Sequence, residues 1–473
     1  MPSIRQVAIA AFAAALQMAA ASALQTAAAQ GPLKMVWSFS GNPDGAYPQN
    51  FSGLTEVNGV LYGTTSGGGS GACKNPGGYG TVYEFNLKTQ AVSVVYRFTG
   101  NCNGGTDGAQ PFSGLVFQGG KLYGTTTVGG TVNQACPNKI GTGCGTVFAV
   151  GPNTRPGTSA VYNFNGGASD GYFPSGALAH VAGMLYGTTQ LGGKYGFGTV
   201  FMVNPNTNPV TETVLYSFEG GANDGAYPQA GVVAQGGFLY GTTTEGGLPN
   251  CGAVNQKFSL PMGSGCGTVF QINLSTWKPG MPGMKPTMLY AFTGGSDGGN
   301  PVGGVISQGG LLYGTAAIGG LLGGTCQQKT LAGQLIGCGV VFEVNPNATQ
   351  PQYTMLYSFQ DNSDGRWPEA GVVSRAGVLY GTTSEGGAPP QCVLDTNGCG
   401  TVFGVSTTVV KGKPVVGKIL TSSFTDIGGD RPFAPLIDVN GTFYGTTNLG
   451  GGGATVCTAA GPGTYTCGTL FRF

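Results

Sequence analysis

The chain has 473 residues, and its 20 basic and 19 acidic side chains give a net charge of +1 at pH 7. Only 8% of the residues are charged and no basic run is present, which argues against nucleic acid and anionic membranes as partners. The 91 glycines follow no Gly-X-Y period, so a collagen-like fold is excluded.

The first segment, residues 1–29, has the pattern of a secretory signal peptide. Arg5 provides a positive start, residues 7–21 are almost wholly apolar, and Ala27 to Ala29 offer a small-residue cleavage site. An uncleaved membrane anchor is the alternative, but the apolar run is short for a membrane span. We therefore expect a mature chain of residues 30–473, secreted to the extracellular space or the periplasm, with no membrane span after cleavage.

Seven copies of one cassette fill the rest of the chain, and such a repeat determines the architecture. Each copy has four short apolar runs separated by turn residues, which is typical of an antiparallel meander. We name these runs strands a (Leu-Tyr-x-Phe), b (Gly-Val-Val), c (Leu-Tyr-Gly-Thr-Thr) and d (Gly-Thr-Val-Phe). An Asn-Gly, Gly-Gly or Ala-Gly pair between b and c predicts a two-residue hairpin turn. The tyrosine of the Tyr-Gly-Thr core recurs at Tyr62, Tyr123, Tyr186, Tyr240, Tyr313, Tyr380 and Tyr444.

Seven four-stranded sheets in a row are best closed radially. The sequence therefore predicts an all-β fold: a seven-bladed β-propeller of four-stranded antiparallel blades, as a single domain over residues 30–473. A strand a comes first, at residues 33–39, and a strand d comes last, at residues 468–473. If each blade is cut as b-c-d-a, the N-terminal strand completes the last blade and closes the ring.

The cassette resembles the tandem repeat of the choice-of-anchor GloVer-containing family of bacterial exported proteins. The resemblance rests on Gly-x-Leu-Tyr-Gly-Thr-Thr-x-x-Gly-Gly and Gly-Thr-Val-Phe and covers about residues 33–473. It implies export and a repeat-built β-fold, and it brings no established activity. Family members often carry a C-terminal sorting anchor, which this sequence lacks, so we expect a released protein.

Twelve cysteines fit an oxidising compartment. Five c–d loops hold two cysteines each, and the two that remain lie in loops on one face of adjoining blades. Metal binding is the alternative, but the sequence has no Cys-x-x-Cys motif and a single histidine. We predict no metal site and six disulfides: Cys73–Cys102, Cys136–Cys144, Cys251–Cys266, Cys326–Cys338, Cys392–Cys399 and Cys457–Cys467.

The a–b loop carries Asp-Gly in six cassettes. A residue that recurs in six blades is expected to be structural, its carboxylate accepting backbone N–H bonds in a turn. A calcium site is the alternative, and no other cofactor is expected. The aspartates are Asp44, Asp107, Asp170, Asp224, Asp297 and Asp364.

The residue before the a–b loop proline varies, whereas the other cassette positions are nearly constant. Its aromatic and planar side chains, on the rim that bears the variable loops, suit stacking on sugars and bonding to their hydroxyls. The alternative is that each ring packs on its own proline. Two arginines on this rim favour an acidic polysaccharide. The predicted ligand-binding residues are Tyr47, Gln110, Phe173, Tyr227, Asn300, Trp367, Arg366 and Arg431.

Three residues are candidates for catalysis, although no known catalytic motif is present. Glu245 and Glu385 share one c–d position in blades two apart, and a glycosidase needs two carboxyls ~5–9.5 Å apart. His180, the sole histidine, lies in strand b, where a lone polar residue is more often a solvated channel lining.

The sequence therefore predicts a secreted, monomeric propeller that acts as a binding or interaction module, with extracellular polysaccharide as the preferred ligand. Two alternatives stay open: a carbohydrate-active hydrolase or lyase, and a purely structural extracellular protein. An enzyme should show unrepeated charged residues converging at the ring centre, and a binding module should show a spread aromatic rim.

Overall fold

The computed structural model describes part of the chain. The described part is residues 32–473 without 49–52, 70–76, 101–105, 132–135, 137–142, 152–158, 249–264, 277–284, 322–325, 327–335, 350–351, 388–391, 393–396, 408, 411–412, 415–419, 426–427 and 452–466. It consists of β-strands, turns and one 3-10 turn at Asn362–Asp364, and it contains no α-helix. Within it, no helix is long and apolar enough to span a membrane. The predicted signal peptide lies outside it.

The strands form seven four-stranded antiparallel sheets. Each sheet takes strands b, c and d from one cassette and strand a from the next, and we number these blades 1 to 7 by their strand b. Strands b are Thr55–Val57, Val116–Gln118, Ala179–Val181, Val233–Gln235, Ile306–Gln308, Val373–Arg375 and Ile437–Val439. Strands c are Val60–Thr65, Lys121–Thr126, Met184–Thr189, Phe238–Thr243, Leu311–Ala316, Val378–Thr383 and Thr442–Thr447.

The outer half of each blade is built from strands d and a. Strands d are Thr81–Asn86, Thr146–Val150, Thr199–Asn204, Thr268–Asn273, Val340–Asn345, Thr401–Ser406 and Thr469–Arg472. Strands a are Lys34–Ser38, Ala91–Arg97, Ser159–Asn163, Thr211–Ser217, Thr287–Ala291, Gln352–Ser358 and Leu420–Ser423. Two-residue pairs join Gly171–Tyr172 to Leu191–Gly192, Gly225–Ala226 to Glu245–Gly246, and Val409–Val410 to Lys413–Pro414.

The predicted closure of the ring is confirmed. Strand a at Lys34–Ser38 pairs antiparallel with strand d of blade 7, Thr469–Arg472. Phe39, directly after this strand, packs in one buried cluster with Leu54 of blade 1 and Leu470 of blade 7. The seven-bladed propeller is therefore closed by its N-terminal strand, which leaves blade 7 with the same four strands as the others.

An aromatic pair joins each blade to the next. The phenylalanine that ends strand a meets the aromatic ring of strand d in the following blade edge to face, with ring centroids 4.8–5.3 Å apart. That second ring lies on the glycine of the Tyr-Gly-Thr core: a methyl group on Gly187 would lie 2.5 Å from Cζ of Phe201. The pairs are Phe39–Tyr83, Phe98–Phe148, Phe164–Phe201, Phe218–Phe270, Phe292–Phe342, Phe359–Phe403 and Phe424–Phe471.

Threonines carry the buried polar contacts of the blades. In blade 1, Thr65 at the end of strand c bonds Thr81 of strand d at 2.8 Å, and five other blades repeat this pair. Blade 5 has Ala316 and Val340 at these two positions, both fully buried. Both partners are thus apolar there, which avoids an unsatisfied buried hydroxyl.

Deleting residues 30–40 should lower the melting temperature strongly. The deletion removes strand a of blade 7 and the Phe39–Tyr83 contact, and it exposes the edge of strand d. Thermal unfolding with the disulfides intact measures the effect, and deletion of residues 30–32 alone is the control. A protein without residues 30–40 that melts like the control would contradict this closure.

Candidate functional site

The a–b and c–d loops lie on one side of the ring, which we call the loop face. In each cassette the two loops are joined by a short antiparallel pairing, for example Ala226 with Glu245 and Arg366 with Glu385. The b–c turns lie at the opposite ends of the strands. The loop face therefore holds all eight of the predicted binding residues.

The Asp-Gly carboxylates of the loop face are used in structural contacts. Asp170 accepts hydrogen bonds from the Tyr162 hydroxyl at 2.9 Å and from the backbone N–H of Asn165 at 2.7 Å. Asp107, Asp224, Asp297 and Asp364 receive the same tyrosine bond, and Asp44 receives one from the Trp37 indole. These contacts agree with the interpretation of the aspartates as turn residues.

The variable residue before the proline joins two blades through its backbone. In all seven cassettes it adopts a positive φ of 54–65°, a conformation that costs a non-glycine residue about 1–2 kcal/mol. The N–H of Trp367 donates to Cys338 O in blade 5, and its C=O accepts from the N–H of Ser384 in blade 6. The other six positions repeat both bonds. The position is therefore fixed by the backbone, and this leaves the side chain free to vary.

The exposure of these variable side chains differs from one cassette to the next. Trp367, Tyr227 and Asn300 are buried, with 7%, 3% and 5% of their surface exposed. Tyr47, Phe173 and Arg431 are half-buried and Gln110 is exposed. Trp367 and Tyr227 thus offer no free ring face to a sugar.

Arg366 is also committed to internal contacts. Only 4% of its surface is exposed, and its guanidinium bonds Asp361 at 2.8 Å and Glu385 at 3.0 Å. The guanidinium also lies 5.0 Å from the Trp367 ring centroid. Since two carboxylates flank it, Arg366 does not provide the free positive charge expected for an acidic polysaccharide.

The three candidates for catalysis do not converge. Glu385 is engaged by Arg366 in blade 6, and Glu245 is 98% buried in blade 4, so the whole of blade 5 separates them. His180 is exposed near the b–c turn, away from the loop face, where its Nε2 accepts the backbone N–H of Gly183 at 3.0 Å. This histidine is explained as a turn residue.

Disulfides hold the c–d loops. Three predicted pairs are present among the described residues: Cys136–Cys144, Cys326–Cys338 and Cys392–Cys399. Cys266 and Cys467 are also disulfide-bonded. The other members of the predicted pairs lie outside the described residues, so the pairs Cys73–Cys102, Cys251–Cys266 and Cys457–Cys467 stay predictions.

One group of side chains has the composition of a metal site. Cys392, Cys399 and Asp430 each place one ligand atom within 4.8 Å of the others. The two sulfurs are bonded to each other and are not the thiolates that a metal requires. Cys392 and Cys399 therefore form a disulfide beside the Asp430 carboxylate rather than a metal centre.

Blade 3 carries four aromatic residues on the loop face, of which only Phe173 was among the predicted ligand-binding residues. Its c–d loop, residues 190–198, is the shortest of the seven and contains no cysteine. Tyr195 in this loop is 42% exposed, and Phe197 packs edge to face on Tyr227 with centroids 5.6 Å apart. Tyr172 and Phe173, both half-buried, lie in the a–b loop that pairs with it. We call Tyr172, Phe173, Tyr195 and Phe197 the blade 3 aromatic group.

Sequence reasoning found Phe173 but missed Tyr172, Tyr195 and Phe197, because it compared one cassette position, the residue before the proline, across the seven cassettes. Phe197 occupies the position before the strand d glycine, where five blades have a disulfide-bonded cysteine. One feature of the sequence could have indicated these residues. Cassette three has a short c–d loop with Lys194, Tyr195 and Phe197, where five other cassettes have a longer loop with two cysteines. Loops of this kind, on a rigid scaffold, are where binding residues usually occur.

A buried carboxyl pair lies beside the Asp-Gly turn of cassette three. Burial, and secondarily the Asp170 carboxylate, raises the pKa of Glu212 to about 8. Glu212 Oε1 is buried and has no hydrogen-bond partner in the described part of the chain. Burial also raises the pKa of Asp170, although its hydrogen bonds oppose the shift.

Comparison with known sequences identifies one repeat family. The family described as Gloeobacter/Verrucomicrobia repeat matches residues 20–255 and 264–473. No curated protein sequence matches the chain.

Solved structures similar to this chain are distant in sequence. One structure from a structural and mechanistic analysis of two prolyl endopeptidases matches at a TM-score of 0.41 and 10% identity, over 79% of this chain and 42% of that chain. An ancestral GH74 enzyme matches at 0.43 and 12%, over 76% and 42%. The chain thus spans less than half of either protein. A putative 6-phosphogluconolactonase from Bacteroides fragilis matches at 0.41 and 14%, over 82% and 86%.

Replacing Glu385 with glutamine should lower the free energy of unfolding by about 3 kcal/mol, because it leaves the buried Arg366 with one carboxylate. Denaturant unfolding measures the loss. The control is Glu219→Gln, which removes the exposed partner of Lys285 and should cost less than ~1 kcal/mol. Equal stabilities of the two variants would contradict a structural role for Glu385.

The carboxyl of Glu212 should make stability fall as pH rises. Its pKa in the folded protein, about 8, exceeds its ordinary value of 4.5, so folding favours the protonated form. The contribution is fully present below pH 4.5 and is lost as pH rises through about 8. Melting temperatures across this range should decline less in Glu212→Gln than in the parent or in Glu219→Gln. Parallel curves for all three proteins would disprove the assignment.

Proposed function

The chain belongs to the Gloeobacter/Verrucomicrobia repeat family, and from the geometry of its loop face we propose that it is an exported carbohydrate-binding module. The disulfides and the lack of a membrane-spanning helix in the described residues are compatible with an extracellular protein. We propose that cleavage near Gln30 releases a monomeric propeller whose preferred ligand is an extracellular polysaccharide.

The observation that carries this proposal is the blade 3 aromatic group. Tyr195 is the large aromatic residue with the most exposed surface among the described residues of the loop face. Tyr172 and Phe173 are half-buried in the a–b loop that pairs with this c–d loop, and Phe197, two residues after Tyr195, packs on Tyr227. Aromatic side chains of this kind bury a large area against the C–H faces of a sugar.

Lys194, beside the Tyr195 ring, is suited to hydrogen bonding with the hydroxyl groups of a sugar. Lys194 is exposed, and its ammonium lies 5.0 Å from the Tyr195 ring centroid. Lys194 therefore places a positive charge at the proposed surface, whereas Arg366 in blade 6 is paired with two carboxylates. A single exposed lysine is compatible with a neutral or weakly acidic glycan, and it does not favour a highly charged one.

We favour binding over catalysis because the two glutamates that were candidates for catalysis do not form a pair. Glu245 and Glu385 lie in different blades, and Glu385 is held by Arg366. The recurring aspartates accept hydrogen bonds from tyrosines and backbone N–H groups. The predicted pair of Glu245 and Glu385 therefore gives no support to a carbohydrate-active enzyme, whereas Tyr195 offers an exposed ring on the loop face.

The proposal predicts that Tyr195→Ala weakens polysaccharide binding by about 1–3 kcal/mol, since the substitution removes an exposed ring from the contact surface. A glycan array should first identify an oligosaccharide ligand, and calorimetric titration should then compare the variants. The melting temperature should stay nearly unchanged, because the ring is already solvent-exposed.

Phe117→Ala is the matched control. Phe117 is 40% exposed, close to the 42% of Tyr195, but it lies on strand b beside the b–c turn. The Phe117 variant should bind like the parent. Failure of every glycan on the array to bind, or equal affinities for the two variants, would contradict a carbohydrate site on blade 3.

A further inference from the structure

The b–c turns of the first and last cassettes are Asn-Gly pairs. Asn58 and Gly59 have φ values of 53° and 79°, and Asn440 and Gly441 have values of 50° and 93°. Both asparagines are exposed. The positive φ angles are those of a two-residue hairpin turn, for which Asn-Gly is favoured.

A carboxylate two residues before each asparagine caps the turn. Glu56 accepts the backbone N–H of Gly59 at 2.6 Å, and Asp438 accepts that of Gly441 at 2.8 Å. In the three Gly-Gly turns the capping position holds Phe117, Ala234 and Ser307. The acidic cap therefore occurs at the two turns that contain asparagine.

Asn-Gly is the dipeptide most prone to spontaneous deamidation. The backbone nitrogen of glycine loses its proton and attacks the side-chain amide carbon of asparagine, and ammonia leaves as a cyclic imide forms. Water then opens the imide to aspartate or isoaspartate, so the reaction needs no oxidant, reductant or metal. The glycine N–H is the group that must lose its proton, and glycine offers no side chain to hinder the attack.

We infer that Asn58 and Asn440 are latent deamidation sites and that Glu56 and Asp438 suppress their modification. The hydrogen bond holds the glycine N–H towards the carboxylate and away from the asparagine amide. The negative charge of the carboxylate also disfavours loss of the amide proton. Both effects slow the first step of imide formation.

The glycines of the two turns differ in how closely other side chains approach them. Asp438 also pairs with Arg375 at 3.4 Å, and the Arg375 guanidinium lies over Gly441, where a methyl group would be 2.5 Å from Nη2. At Gly59 a methyl group would meet nothing within 4 Å. Gly59 is therefore the less covered of the two glycines, and the test is made at Asn58.

Deamidation at these turns would affect the contact between the first and the last blade. They belong to blades 1 and 7, whose contact is the seam closed by the N-terminal strand. Isoaspartate adds a backbone carbon to a two-residue turn whose length sets the register of strands b and c. Deamidation at either turn would consequently loosen the propeller at its seam.

The test compares Glu56→Ala with the parent after incubation of the full mature protein at mildly alkaline pH. Peptide mapping by mass spectrometry measures aspartate and isoaspartate at each asparagine. Loss of a charge-assisted hydrogen bond should raise the rate at Asn58 about fivefold to tenfold. Glu56→Gln, which keeps a neutral acceptor, should give an intermediate rate.

The same samples contain internal controls. Asn440, and the Asn165–Gly166 and Asn397–Gly398 pairs elsewhere in the chain, should deamidate at parental rates in Glu56→Ala. Amide exchange at Gly59, measured together with the melting temperature, separates loss of the cap from unfolding of the blade. An unchanged rate at Asn58 despite faster exchange at Gly59 would overturn the inference, as would equal acceleration at every Asn-Gly pair.

Discussion

The structure depends on an aromatic ring that lies on a glycine at each junction between blades. The strand d ring fits only because the Tyr-Gly-Thr core has no side chain beneath it, and the phenylalanine of the preceding strand a then closes over its edge. An edge-to-face pair adds about 0.5–1.5 kcal/mol beyond the area that it buries. Repetition at seven junctions fixes the spacing of the blades and explains why each cassette keeps the Tyr-Gly-Thr core together with an aromatic residue three positions after the strand d glycine.

The recurring polar residues follow from the same packing. Where Tyr and Asp face each other they form a hydrogen bond, as in Tyr216 with Asp224. The seventh cassette has Ser422 at the tyrosine position and Gly428-Gly429 at the Asp-Gly position, so both partners are replaced together. Blade 5 loses both members of the threonine pair in the same way. These paired replacements identify the contacts as structural, and they direct the search for function to residues outside the cassette.

Much of the fold could be predicted because it is encoded by repetition and short-range chemistry. The b–c turns have the positive φ angles that Asn-Gly and Gly-Gly favour, and the strand a at Lys34–Ser38 completes blade 7 as expected. The binding site was harder to predict, because the exposure of a loop side chain depends on residues of the neighbouring blades. Nothing in the local sequence indicates that Trp367 has a left-handed backbone and a buried side chain, or that Arg366 has two carboxylate partners.

We propose that the ligand binds at the blade 3 aromatic group rather than around the buried Trp367 of blade 6. Hydrogen–deuterium exchange with and without a bound oligosaccharide tests it most directly, because it reports every loop in one experiment. Our account predicts slower exchange confined to residues 171–173 and 190–198. Protection centred on residues 361–369 of blade 6, with blade 3 unchanged, would contradict it.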